Sequence, residues 1–262
     1  MQDQDIECKK GFSRRNMLIG TGALAAGAAL SHLGGFVKSA EATGGKTEKW
    51  PWPYEKLDPT ETAELCYKEW YRVFCGAAVI NSIFSQLRTK VGEPYISFPS
   101  DAFVFLEGGQ MGWGTICGSA AGANIVANLI IGPRIVGAKA GHHIAADMMQ
   151  WYSDTALPTF TPAKPKVSST IPTTISESPL CHISVGKWMS EANKSLKSPE
   201  RKDRCARVAA STTYKLVELL NAWKDGDYEH STTFSAAKKH GITGQFNCVE
   251  CHGDDVPEAP TD

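Results

Sequence analysis

The amino-acid sequence predicts a mainly α-helical protein, with a helical, cysteine-rich domain followed by a loop-rich C-terminal segment. Three observations carry this. Apolar residues recur at three- to five-residue steps over long windows. Two helix starts are announced by a capping residue followed by proline and glutamate, Asp58-Pro59-Thr60-Glu61 and Ser198-Pro199-Glu200. Strand-like runs are confined to "PYISF" and "DAFVFL". The chain has 262 residues, 42% hydrophobic and 21% charged, a globular composition. Its formal net charge of −1 offers no basic excess for nucleic acid and no polybasic patch for a membrane surface.

Residues 1–42 read as an export signal. Lys9, Lys10, Arg14 and Arg15 supply the charged region, a Gly/Ala-rich apolar stretch runs from Met17 to about Leu33, and Ala40-Glu41-Ala42 offers small residues for cleavage. Ser13-Arg14-Arg15 followed by an apolar pair marks the twin-arginine address. A membrane-spanning helix is the competing reading, and the glycines Gly20, Gly22, Gly27, Gly34 and Gly35 weaken it. Removing this leader takes five basic and four acidic residues from 27 and 28, leaving 22 and 24 and a charge near −2. Cys8 leaves with it, so seven cysteines remain. An odd number fits poorly with a pure disulfide framework in an oxidising compartment and directs attention to cofactors.

The body of the domain, residues 43–226, reads as successive helices. From Asp58 a long helix should run to about Lys90, with Leu65, Trp70, Val73, Ala77, Ile80, Phe84 and Leu87 as its buried stripe. "EGGQMGWGTICGSAAGANIVANLIIGP" is a glycine-rich loop leading into an apolar helix that stops at Gly132-Pro133. Its glycines do not form the dinucleotide-binding pattern G-x-G-x-x-G, whereas Gly118 and Gly122, four apart, permit close helix packing. "GHHIAADMMQWYSDT" is a further helix, Pro158 to Pro179 a Ser/Thr/Pro-rich connector, and Cys181 to about Asn193 another helix. The last helix follows Ser198 and carries Cys205, Ala209, Thr212, Leu216, Leu219, Leu220 and Trp223 on one face until Gly226. Residues 227–262 are short of large apolar side chains.

That tail contains "NCVECHG". Cys248, Cys251 and His252 form C-x-x-C-H, the attachment signal for c-type haem. Random placement of these residue types would produce about 0.006 such motifs in a chain this long, so the signal is specific. The cysteines would form thioethers and His252 would bind iron from one face. A zinc knuckle would need a second ligand pair, which the tail lacks. His240 is the first candidate for the opposite face, with His142, His143 and His230 as alternatives; a second strong ligand leaves electron transfer as the haem's task. Cys181-His182 suggests a second haem held by one thioether, although Ser178 stands where the other cysteine would be.

Five cysteines remain outside leader and tail. Cys66 and Cys75, nine residues apart, face opposite sides of a regular helix. Setting Cys66 aside leaves Cys75, Cys117, Cys181 and Cys205, which suits a buried four-cysteine iron site; two disulfides or plain buried thiols are the alternatives. The leader favours the iron site. Twin-arginine export carries folded proteins with a cofactor already inserted, while c-type haem is attached after export, so a haem-only protein would not need that route.

"CGAAVINSIFSQL", "GGQMGWGTICGSAAGA", "SPLCHISVGKW" and "RCARVAASTTYKLVELLN" resemble the C_GCAxxG_C_C redox-cysteine family, although "FCGAAV" shifts the family's Gly-Cys-Ala order. With the C-terminal C-x-x-C-H, the stretch from Asp58 to Gly253 is similar to the split-Soret cytochromes c of sulfate-reducing bacteria. The resemblance implies that Cys75, Cys117, Cys181 and Cys205 match the family's four cysteines. It also implies a homodimer with bis-histidine haems at one end and an iron–sulfur cluster, two-iron, elsewhere in each subunit. Two haems per chain belong to that pattern, and one complete motif is present here. The expected protein is therefore a helical iron–sulfur domain with a loop-rich haem-binding segment. It is expected to act in the periplasm as an electron carrier rather than an enzyme, with periplasmic redox proteins as donor and acceptor and no membrane span in the mature chain. A reductase of a small oxyanion or disulfide substrate is the alternative.

Overall fold

The computed structural model describes residues 49–232 and Gly253. The expected leader, His240, Cys248, Cys251 and His252 lie outside the described residues. Helix α1 (Pro59–Lys90) begins where the capping signal placed it. The Asp58 carboxylate accepts the Glu61 N–H at 2.8 Å, and proline fills the first helical position, where its missing N–H costs nothing. Of the expected stripe, Trp70, Val73, Ala77, Ile80, Phe84 and Leu87 are buried and Leu65 is half-buried.

The sequence pattern did not anticipate a break inside α1. Phe74 adopts φ 57°, ψ −160°, a region that costs a non-glycine residue about 1–3 kcal/mol. Its cause is adjacent: the Gly76 N–H leaves the helix ladder and donates to the Leu106 carbonyl at 3.0 Å.

The two strand-like runs are not strands. "PYISF" forms turns, and Ser100–Phe105 is a 3₁₀ helix. The Arg88 guanidinium donates to the Tyr95 and Phe98 carbonyls, at 2.9 and 3.1 Å, and so occupies acceptors that a ladder would need. The aromatic rings of the segment pack on α1 instead, Phe98 lying 5.0 Å from Phe84 and stacking on Phe103.

Beyond the glycine-rich loop come α2 (Gly118–Ile131), a 3₁₀ turn at Arg134–Val136 and α3 (Lys139–Asp154). The connector holds the strands of the described residues: β1 (Ala156–Leu157) pairs antiparallel with β2 (Thr174–Ile175), Ala156 opposite Ile175. The Thr159 and Phe160 N–H groups tie it to the Ser211 hydroxyl. Helix α4 (Cys181–Ala192) ends on Asn193 in the left-handed region, and α5 (Pro199–Asp225) runs from the Ser198 cap to Gly226 at φ 86°. Helix α1 packs between α2 and α5, and α3 lies against α2. The core they share includes Ile80, Phe84 and Leu87 of α1, Ile130 of α2, Met148 of α3 and Leu216 and Leu220 of α5, all fully buried.

Contact between α1 and α2 is closer than side chains allow. A Cβ on Gly122 would lie 2.7 Å from the Gly76 carbonyl oxygen, and one on Gly118 would lie 2.0 Å from the Leu106 oxygen and 2.9 Å from the Cys75 Cβ. Gly186, in the middle of α4, is different, since a Cβ there meets nothing within 4 Å. Gly118→Ala should therefore lower stability by about 1–3 kcal/mol, while Gly186→Ala should raise it by about 0.5–1 kcal/mol. Thermal unfolding followed by circular dichroism should show melting shifts of opposite sign.

Candidate functional site

Three of the four family-matched cysteines sit at a discontinuity of the backbone, and the fourth, Cys205, lies within a regular helix. Cys75 follows the break at Phe74, Cys117 is the residue before α2, Cys181 opens α4, and Cys205 lies in the second turn of α5. Two of these discontinuities are joined. The Cys117 N–H donates to the Pro179 carbonyl at 2.8 Å and the Cys181 N–H to the Thr115 carbonyl at 2.7 Å, on either side of an antiparallel bridge between Ile116 and Leu180. Cys75 is brought in by the glycine contact, and Cys205 by the packing of α5 on α1.

All four thiols are unpaired; Cys75, Cys117 and Cys205 are buried and Cys181 is half-buried. Burial, then Cys117 and Cys205, pushes the Cys75 thiol well up from its ordinary value, against hydrogen bonds from the Trp70 indole at 3.4 Å and the Gly108 backbone. Burial, then Cys117, Cys205 and Cys75, does the same to Cys181. Cys66 belongs elsewhere: it is buried against Thr213 and Ser82 and pushed up to about 12, chiefly by burial. Its separation from Cys75 does not rest on helical phase as the sequence argument had it, because the break at Phe74 lies between them.

The sulfurs surround one region without closing on a point. Among the described residues no three His, Cys, Asp or Glu side chains are gathered tightly enough to hold a metal ion. Neutral thiols have no reason to converge; deprotonation and convergence accompany a cation's arrival. The test of whether this set suits a metal centre is the charge around it. Arg204 is buried, 1% exposed, and forms no ion pair with a carboxylate among the described residues. Its neighbour Asp203 pairs with Arg207 at 2.7 Å. One terminal nitrogen of Arg204 approaches Cys205 Sγ at 4.0 Å, the other donates to the Ser184 hydroxyl at 2.8 Å, and Nε has no partner. Burial opposes the charge, yet Cys205, Tyr152 and Cys117 outweigh it and raise the guanidinium's affinity for its proton. An uncompensated buried cation costs several kcal/mol, and an anionic thiolate–metal centre would supply the compensation. The residues present fit such a centre. The sequence reading missed Arg204, whose only signal was an arginine beside Cys205 on a helix face otherwise apolar.

The candidate distal histidines occupy a second place. His143, on α3, stacks on His230 with ring centroids 4.1 Å apart and planes 12° apart. His230 Nδ1 donates to the Asp147 carboxylate at 2.9 Å, leaving Nε2 free, the arrangement typical of an imidazole ligand. Rings stacked face to face present their nitrogens side by side, so His143 and His230 do not ligate one iron from opposite faces. His142 is exposed. His182 Nδ1 donates to the Gly114 carbonyl at 3.1 Å, again leaving Nε2 free. A thioether at Cys181 would remove that thiol from the four, so its two expected roles compete.

Asp147 also anchors the start of the tail, accepting the Tyr228 hydroxyl at 2.6 Å and the Ser231 and Thr232 N–H groups. Burial opposes its ionisation, but these donors prevail and hold the carboxyl below its ordinary 3.8. His143 is held below its ordinary 6.5 by burial and by the neighbouring His230 and His142. Depressed values on both groups give the same sign: their stabilisation is complete at neutral pH. It falls first below about 6.5 as the imidazole takes a proton, then below about 3.8 as the carboxylate does. Hydrogen exchange at residues 228–232, corrected for intrinsic rates, should accelerate across those windows, and Asp147→Asn should abolish the lower one.

Comparison with known proteins bears on the same residues. Residues 74–219, which contain all four thiols, match the C_GCAxxG_C_C family of redox-active proteins. The chain is 34% identical over 253 residues to the split-Soret cytochrome c of Desulfovibrio desulfuricans, covering 92% of this chain and 87% of that one. It also superposes on a structure reported for a novel iron centre in the split-Soret cytochrome c from Desulfovibrio desulfuricans. The TM-score is 0.66 at 32% identity, over 83% of this chain and 90% of the other. On these grounds the chain belongs to the split-Soret cytochrome c family, within the wider C_GCAxxG_C_C family.

Proposed function

We propose that this protein is a periplasmic electron-transfer protein, a c-type cytochrome that also carries an iron–sulfur cluster. The observation that carries the proposal is the grouping of four unpaired thiols around a buried arginine without a carboxylate partner. Cys75, Cys117, Cys181 and Cys205 would hold the cluster, two-iron and dianionic when oxidised, and Arg204 would balance part of its charge. Trp70, donating to Cys75 Sγ, would steady one ligand. A cluster there supplies one-electron chemistry. Cys248 and Cys251 would carry the haem and His252 would bind its iron. His240, or one of His142, His143 and His230, would complete bis-histidine ligation; His230, oriented by Asp147, is best prepared among those described. The relatives' names support haem and a separate iron centre. Export by the twin-arginine route, read from Ser13-Arg14-Arg15, fits a cluster loaded before haem attachment. Assembly as a homodimer exchanging electrons with periplasmic redox proteins completes the reading.

Iron, acid-labile sulfide and haem measured on one purified sample test it. Both sulfide and covalent haem are expected, with a low-spin reduced spectrum that carbon monoxide leaves unchanged. Cys75→Ser and Cys205→Ser should lose sulfide and keep haem. Absence of sulfide, with the four thiols oxidised in pairs, would overturn the iron–sulfur reading. Arg204→Gln should lower the cluster's midpoint potential by on the order of 60 mV, the equivalent of about 1.4 kcal/mol for one electron, because the reduced state carries the additional negative charge. Redox titration by electron paramagnetic resonance reads this directly.

A further inference from the structure

The connector between β1 and β2 lays a short cationic strip along α1. The Ala163 N–H donates to the Glu64 carboxylate at 2.5 Å and the Lys166 N–H to the Tyr67 hydroxyl at 2.7 Å, so residues 163–166 run beside the first half of the helix. Pro162 and Pro165 each fix a backbone torsion on either side of Lys164. The Lys166 ammonium then sits over the Tyr71 ring, 5.3 Å from its centroid. Lys68 shares this face of α1, since residues three or four apart on a helix are neighbours and it follows Glu64 and precedes Tyr71 at those steps.

Lys68, Lys164 and Lys166 are exposed, and none forms an ion pair among the described residues. Arg72 differs, being occupied by Glu69 at 2.7 Å and Asp101 at 3.4 Å. Around Tyr71, then, three lysines stand against Glu64, with Glu61 a turn farther off. The whole chain has a formal charge of −1, so this strip is a local positive excess on a slightly negative molecule. Such a patch steers and orients a partner of opposite charge.

The ring beneath the strip distinguishes it from an ordinary solvated lysine cluster. Tyr71 is half-buried, and its hydroxyl is anchored on the Asp203 carboxylate at 2.8 Å. Its ring packs edge-on against Trp70, centroids 5.1 Å apart, and the Trp70 indole donates to Cys75 Sγ. Two side chains in contact therefore join the surface under Lys166 to a sulfur. Electron tunnelling decays less steeply through packed atoms than across a gap, and here the packed atoms reach the surface where the positive charge is.

We propose that Lys68, Lys164 and Lys166 form the docking surface for a small acidic redox protein, which exchanges one electron with the thiol-bound centre through Tyr71 and Trp70. The electron's destination rests on the function proposed above; the docking does not. With an iron–sulfur protein as donor, one electron leaves the partner's reduced cluster and enters the oxidised centre here, and no bond is made or broken. Electron-transfer encounters of this kind bury little surface, below about 1,200 Å², and charges around them set the encounter rate.

An acidic plant-type ferredoxin is the probe, used with the full-length, haem-loaded protein at physiological ionic strength, where charges act over about 8 Å. Calorimetry reads binding of the oxidised ferredoxin, and stopped-flow absorbance reads reduction of the cluster by the reduced form. Lys68→Glu with Lys164→Glu and Lys166→Glu should weaken binding and slow the second-order reduction by about tenfold or more, with circular dichroism, haem and sulfide content unchanged. Lys90→Glu with Lys139→Glu and Lys224→Glu makes the same change in net charge elsewhere and should have far less effect. Tyr71→Leu, which opens a gap beneath the docking surface, should leave affinity unchanged and slow cluster reduction within the complex severalfold. No binding of ferredoxin, equal losses in the two triple variants, or an unchanged rate within the complex in Tyr71→Leu would overturn the proposal. So would a halved molar mass by light scattering in the first triple variant, which would make the face a subunit contact. Sulfide analysis of the same samples separates the two readings: docking that depends on these lysines without sulfide leaves the surface standing and removes the cluster, and sulfide with docking indifferent to them does the reverse.

Discussion

Everything at the thiol site depends on how closely two stretches of backbone approach. Gly76, Gly118 and Gly122 let α1 and α2 meet with the Leu106 carbonyl wedged between them, accepting the Gly76 N–H and lying where a Gly118 side chain would be. That one acceptor accounts for the departure of Gly76 from the helix ladder, and with it for the positive φ of Phe74 and the direction in which Cys75 leaves the helix. Cys75 and Cys117 come together because no side chain separates their backbones. The strain at Phe74 is supported by the buried aromatic and aliphatic packing on either side of it.

Electrostatics sets the second constraint. Burial, and after it the neighbouring thiols, make deprotonation of Cys75 and Cys181 dearer. A buried arginine without a carboxylate makes the same region dear in the opposite sense. Each imbalance is the other's remedy once a metal allows the thiols to ionise, which is why the pair of observations points to an anionic centre more strongly than either does alone. The neighbouring Asp203 does not interfere, since Arg207 and the hydroxyls of Tyr67 and Tyr71 already engage it.

The tail enters from a different quarter. Asp147 holds Tyr228, His230, Ser231 and Thr232 against α3, beside the stacked imidazoles. Among the described residues the four thiols are placed by α1, α2, α4 and α5, and the stacked His143 and His230 by α3 and the segment after Gly226, while His182 shares α4 with Cys181.

Helices announced by local chemistry were legible in the sequence. Asp58-Pro59 and Ser198-Pro199 cap α1 and α5, and Gly132 and Gly226 end α2 and α5, because capping involves residues only a few positions apart. The close packing at Gly118 and Gly122 was legible for the same reason, being carried by residue type and spacing, whereas setting Cys66 aside by helical phase overlooked the break at Phe74. What distant residues decide was not legible. "PYISF" and "DAFVFL" have strand composition, but Arg88 takes the Tyr95 and Phe98 carbonyls of the first, whose Phe98 ring packs on Phe84 of α1, and Phe103 of the second stacks on Phe98. The break at Phe74 goes with the hydrogen bond from Gly76 to the Leu106 carbonyl, thirty residues on, and Arg204 is left without a carboxylate among the described residues while Arg207 pairs with Asp203. Local sequence determines which segments coil and which atoms could bind a metal; only the folded chain determines which of them meet, because an acceptor, a charge or an empty volume is a property of neighbours that the sequence does not place side by side.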